Sequence, residues 1–353
     1  MKRQILLIGL MALCPLSASA QTRYSITDLG KLNTIRGGVT AINERGEVVG
    51  GDGHGFLWTG SEKIDLGTLP PTGPEDDTTE IAYGINNREQ IVGASGSFGP
   101  IFMSGLQFAR GVLVEGRKAR QLTEQDASFI PYAINDSGEI VGLNAYRGFF
   151  YAHGKLIPLG TLSRVPNGNR SLARAINQRG QVVGWSTFNH TRRSLYDRLP
   201  THAFLWHRGA DGNRLRDLGT LPGWVNSYAN GINDQGEVIG AAAGVSNTPS
   251  GPEGGVPTQA FLWRDGRMTA LPNLPGGNSS AFGINDSVEI VGSCDSRAVV
   301  WRLGNITDLN TCLPPGSGWK VEEAQAINNR GQIAGTGTFH GQPHLFLLTP
   351  APH

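Results

Sequence analysis

Between residues 185 and 201 the chain collects Trp185, His190, Arg192, Arg193, Tyr196, Asp197 and Arg198, and Trp224 follows in the next variable stretch. Aromatic rings offer large contact area at small entropic cost, and Arg and Asp add directional hydrogen bonds. That mixture suits a sugar or a peptide. Trp185, His190, Arg193, Tyr196, Asp197 and Trp224 are therefore the candidate ligand-binding residues.

A glycosidase would instead need two carboxylates at a set separation, and Glu75, Asp76, Asp77, Asp197 and Glu253 lie in variable stretches that could supply them. Other hydrolytic signatures are missing: there is no G-x-S-x-G elbow, no H-E-x-x-H and no phosphate-binding loop. The eight histidines are scattered. No spacing points to a metal site or a cofactor, so none is expected. The residues favour a binding module for a glycan, peptide or protein, with an extracellular hydrolase or lyase acting on polysaccharide as the alternative.

These residues interrupt a repeat. The phrases AINERGEVVG (41 to 50), GINNREQIVG (84 to 93), AINDSGEIVG (133 to 142), AINQRGQVVG (175 to 184), GINDQGEVIG (231 to 240), GINDSVEIVG (283 to 292) and AINNRGQIAG (326 to 335) recur about every 47 residues, the length of one propeller blade. Each reads as a strand, a tight turn and a second strand. Phrases such as Phe204-Leu205-Trp206 and Asp217-Leu218-Gly219-Thr220-Leu221 supply a third and a fourth. The small Ala or Gly before each Ile fits a first strand lining a crowded axis. Every copy has Asn after that Ile, and four residues later Glu or Gln: Glu47, Gln90, Glu139, Gln181, Glu237, Glu289 and Gln332. A catalytic carboxylate could not be exchanged for an amide in three of seven copies, so these side chains read as structural hydrogen-bond acceptors and the Asn as turn chemistry.

The expected fold is all-β: a seven-bladed β-propeller of four-stranded antiparallel blades. The seventh copy ends after its third strand, while Tyr24-Ser25-Ile26-Thr27-Asp28-Leu29-Gly30 reads like a detached fourth. The N-terminal segment should complete the last blade and cover its edge. The variable loops then gather on one rim, with the tight turns on the opposite face.

Lys2, Arg3, the apolar run Ile5 to Leu13 and Ala18-Ser19-Ala20 have the pattern of a signal peptide cleaved after Ala20. The expectation is an exported, secreted or periplasmic chain with one domain over 21–353 and no membrane span. Removing Lys2 and Arg3 from 30 basic residues leaves 28 against 29 acidic ones, too balanced for a nucleic-acid surface. A monomer is expected. Export would place Cys294 and Cys312 in an oxidising compartment, where a disulfide is expected and two buried thiols are the alternative.

His202-Ala203-Phe204-Leu205-Trp206, together with the I-N-D-x-G-x-V-V-G and D-L-G-T-L-P-G phrases, resembles the HAF-repeat family of extracellular bacterial proteins. The resemblance spans nearly all of residues 21–353. The chain departs from it at Glu89 and Val288, where the turn Gly is expected, and in blade two, which offers Gly111-Val112-Leu113-Val114 for the aromatic phrase. It implies secretion and a repeat β fold, and no particular activity.

Overall fold

Alternating apolar residues, punctuated by Asn-x-x-Gly turns, fold each repeat into four strands in chain order. In repeat five, Asn226–Ile232, Val238–Ala243, Thr258–Arg264 and Arg267–Ala270 pair antiparallel in sequence. The same sheet forms seven times. The computed structural model describes residues 23–352 apart from 35–36, 68, 70–78, 97–108, 117, 124–127, 164–168, 189–199, 210–213 and 245–256. The expected signal peptide lies outside the described residues. Among those described, no helix is long and apolar enough to cross a membrane.

Successive first strands lie against one another all the way round, the seventh against the first, so they form the inner wall of a closed ring. Each of the seven blade-to-blade interfaces has its own buried cluster. Between blades four and five, for example, Val183 and Ala203 meet Ala229, Ile232, Val238, Phe261 and Trp263. Burying apolar side chains between blades rather than in one centre is what makes the repeat dependent on its neighbours.

The ladder between the first and second strands is broken in every blade, at Thr40, Tyr83, Tyr132, Arg174, Asn230, Phe282 and Gln325, and in blade seven a second time, at Glu322. These are β-bulges, each adding one residue to the first strand. The last Gly of each phrase sits beside the bulge because nothing larger fits. A Cβ on Gly184 or Gly240 would lie 1.9 Å from the carbonyl oxygen of Leu172 or Tyr228.

Blade seven closes the ring as expected. Its strands Trp319–Ile327, Ile333–Phe339 and Gln342–Pro350 are joined by Tyr24–Lys31, with Tyr24 opposite Pro350 and Lys31 opposite His344. Asp28 accepts from or pairs with His344 Nδ1 at 2.9 Å. Tyr24 is buried, and its hydroxyl accepts a hydrogen bond from Arg302 of blade six, which also pairs with Glu289.

The expected disulfide is not formed. Cys294 ends the strand Ile290–Cys294 and shares a face with Ile290, packing toward blade five. Cys312 ends a 3₁₀ turn, Leu309–Cys312, and packs toward blade seven with Leu309 and Val321. The blade-six sheet stands between the two thiols.

Candidate functional site

On the tight-turn face the repeated Asn does more than hold its turn. Asn43 Nδ2 donates to Glu47 at 2.6 Å within its own repeat and to the carbonyl of Asn86 in the next at 3.2 Å. The same link runs from Asn86 to Asn135, Asn177, Asn233, Asn285 and Asn328, and from Asn328 back to Asn43. Its Oδ1 accepts the N–H groups of the turn, such as those of Arg45 and Glu47. A second ring runs beside the first. The N–H of Glu44 donates to Asn87, and so on through Asp136, Gln178, Asp234, Asp286 and Asn329 back to Glu44.

Glu and Gln alternate freely because each need only accept the Asn Nδ2 hydrogen bond. The carboxyl of Glu47 shows the balance of forces: burial alone would raise it, but the bonds from Asn43 and Arg45 outweigh that and hold it below the usual carboxylate range. This face is spent on joining blades.

The histidines of the repeat phrase are likewise structural. His202 Nδ1 meets Asp217 at 3.0 Å, His54 meets Asp65 at 3.2 Å, and His344 meets Asp28 at 2.9 Å. Each pair ties a third strand to a fourth, and each Asp also accepts the N–H of a following Gly: Gly219, Gly67 or Gly30.

On the wide-loop side the expected binding set divides. His190, Arg193, Tyr196 and Asp197 lie outside the described residues, as do Glu75, Asp76, Asp77 and Glu253. Trp185 is not on the loop but in the second strand of blade four, Gln181–Thr187, paired with Leu172 and Ala203. Its ring meets Tyr228 of blade five edge-on at 6.1 Å. Trp224 packs partly buried against the cluster that contains Leu218, Leu221 and Phe261. The reason is strand register: the hydrophobic pattern of blade four continues through Trp185, and the turn after Leu221 folds Trp224 back onto the core.

The inner wall holds residues that the loop argument passed over. The bulge side chains of blades two and three, Tyr83 and Tyr132, meet edge-on at 5.0 Å, and the guanidinium of Arg174 in blade four lies over the Tyr132 ring at 5.2 Å. Trp185 and Tyr228 form a second aromatic pair, between blades four and five. Burial raises the phenol of Tyr83, its neighbour Tyr132 adds to that, and Arg174 opposes it. Burial likewise raises Tyr228, against a hydrogen bond from Thr201.

In a ring of seven, blade seven stands across the axis from blades three and four. There Glu323 accepts from Gln325 Nε2 at 2.9 Å, and its carboxyl is raised, first by burial and then by the adjacent Glu322. Glu322 itself pairs with Lys320 at 2.9 Å.

A signal for this wall was present in the sequence. The residue two before each phrase's Ile reads Thr, Tyr, Tyr, Arg, Asn, Phe, Gln, six residue types in seven copies. None of the seven is acidic. Such a wall can stack on a ligand and hydrogen-bond to it.

No family model matches the chain, and no curated protein matches it. Among solved structures it is similar to a gluconolactonase from Xanthomonas campestris at 13% identity, covering 81% of this chain and 98% of that one with a TM-score of 0.40. It is similar to a polysaccharide lyase, a PL25 ulvan lyase, at 12% identity, covering 93% and 94% with a TM-score of 0.48. The N-terminal domain of Nup159 compares at 10% identity, covering 93% and 96% with a TM-score of 0.44. At this distance no chemistry of theirs carries over.

Proposed function

We propose that this chain is an exported propeller of the HAF-repeat type that binds an extracellular glycan where the inner wall opens on the wide-loop face. The observation that carries the reading is the varied bulge column: seven blades share one rigid frame, and at one inner position per blade the residue is free to differ. Variable positions on a rigid scaffold are where recognition concentrates. The aromatic pairs of Tyr83 with Tyr132 and of Trp185 with Tyr228 provide faces for sugar rings, and the tight-turn face has no comparable variety. The alternative, a polysaccharide hydrolase or lyase, would draw on Glu323 as a proton donor. It has no second inner-wall carboxylate across the axis to work with among the described residues.

The test is a screen of neutral and acidic oligosaccharides, followed by Trp185→Ala and Tyr132→Ala measured for affinity and melting together. A ring that anchors ligand should cost on the order of 2 kcal/mol of affinity when removed. The comparison is Arg330→Ala on the tight-turn face, expected to bind normally. Loss of binding in Arg330→Ala alone places the site on the wrong face. Bond cleavage detected in the bound saccharide would favour the enzyme reading. Export is checked by the intact mass of the secreted protein, which should begin at Gln21.

A further inference from the structure

We infer that Arg174 is an anion receptor and that the ligand of the inner-wall site is an acidic saccharide, one bearing a carboxylate or a sulfate. This rests on the glycan-binding reading above and adds the charge of the ligand to it.

Arg174, like Arg170 over Tyr146 and Arg216 over Trp263, lies on an aromatic ring, whereas four other arginines are held by carboxylates. Arg45 pairs with Glu47, Arg120 with Glu115, Arg264 with Glu237 and Arg302 with Glu289. Among the described residues no carboxylate lies within ion-pair distance of Arg174, and it is exposed. Its one ring contact is with the Tyr132 face. A guanidinium laid flat on an aromatic ring keeps its donor edge open and loses little freedom when that edge meets a planar or tetrahedral anion. The bulge adds to this, because a residue inserted into a ladder is turned away from the regular alternation of its strand.

The surroundings do not oppose an anion. The acidic groups across the axis are already engaged, Glu322 by Lys320 and Glu323 by Gln325. The adjoining wall positions are Asn230 and Tyr132, neither of them acidic. Burial and Glu322 also favour the uncharged form of Glu323.

A saccharide fits better than an acidic peptide for two reasons. The two aromatic pairs offer broad faces for the C–H surfaces of sugar rings. A peptide held by strand addition needs a straight free edge, and the first strand of every blade is interrupted by its bulge.

The probes are an oligogalacturonate and a sulfated oligogalactose, each against its neutral counterpart (methyl-esterified or desulfated), with poly-L-glutamate as the peptide arm. Calorimetry on the full-length exported protein should find at least one acidic saccharide bound at least tenfold more tightly than its neutral counterpart. Arg174→Gln should remove that difference while leaving the melting temperature and any neutral-sugar affinity unchanged. Arg174→Lys should restore only part of it, since a point charge replaces a fork. The two acidic arms identify which anion is read. The inference is overturned if Arg174→Gln binds the acidic probes as wild type does, if neutral and acidic probes bind alike, or if poly-L-glutamate alone is bound. Neutral sugar bound equally well, and lost in Trp185→Ala but not in Arg174→Gln, would sink the anion reading and leave the glycan site standing. Failure to bind any saccharide would sink both.

Discussion

Val288 occupies the turn position where five of the seven phrases have Gly, and it adopts φ 59° there. Left-handed backbone costs an L-residue roughly 1–2 kcal/mol, and a β-branched one tolerates it least. Replacing it with Gly removes that strain but gives the unfolded chain back about 0.4–1 kcal/mol of entropy. Val288→Gly should therefore stabilise the protein by about 1 kcal/mol, whereas Val288→Ala should change little, as read from the midpoint of urea unfolding. An unchanged or lowered midpoint for the Gly variant would mean the strain is relieved elsewhere. Glu89 shares the conformation at φ 59° but meets Arg45 at 3.1 Å, so its replacement would lose a contact as well as strain. At this scale the sequence was informative about roles and silent about reach. Exchange of Glu for Gln identified structural acceptors, yet nothing in one repeat reveals that its Asn also bonds the carbonyl of the next.

The closing strand is the element on which the ring depends. Tyr24 and Leu29 are buried, in the blade six–seven and blade seven–one clusters respectively, so Tyr24–Lys31 joins both interfaces of its blade. Deleting residues 24–31 removes two buried side chains worth about 4 kcal/mol together and exposes the edge of Gln342–Pro350. The comparison is a chain in which residues 245–256 are replaced by a short linker, which spares the flanking strands Val238–Ala243 and Thr258–Arg264. The first variant should melt far below the second, and in one transition for the whole ring. Equal melting would show that closure contributes nothing. This element was legible because a strand missing at one end of the repeat and surplus at the other is a pattern in the chain itself. The cysteine pair was not, since sequence separation says nothing about which side of a sheet a residue faces. Cys294 follows the two-residue period of Ile290, while Cys312 lies beyond the fourth strand, on the other side of the blade.

For the molecule as a whole, the repeat fixed the ring, while the site proposed above lies on the inner wall and His190, Arg193, Tyr196 and Asp197 lie outside the described residues. Trp185 looked like the start of a loop because the residues after it are polar. In the ring it is a strand residue that points at the next blade, and the varied column of bulges became visible only once first strands were seen to form a common wall. That wall carries a titrating group, Glu323. Burial holds the Glu323 carboxyl above the usual value of 4.5, so the neutral form is the one the fold prefers. Its contribution is fully present below pH 4.5 and is lost as the pH rises through the raised folded value. Glu47 runs the other way: its carboxyl is lowered, so its contribution is present above 4.5 and is lost as the pH falls through the folded value. The ring should therefore lose stability toward both acid and alkali. Glu323→Gln, which keeps a neutral side chain of the same length, should be more stable than wild type at pH 8 and equal to it at about pH 4, with the acid decline governed by Glu47 unchanged. Urea unfolding of both proteins across that range measures the gap directly. A gap that does not vary with pH would mean that the Glu323 carboxyl titrates alike in the folded and unfolded chain, and that the wall opposite Arg174 carries its negative charge at pH 8.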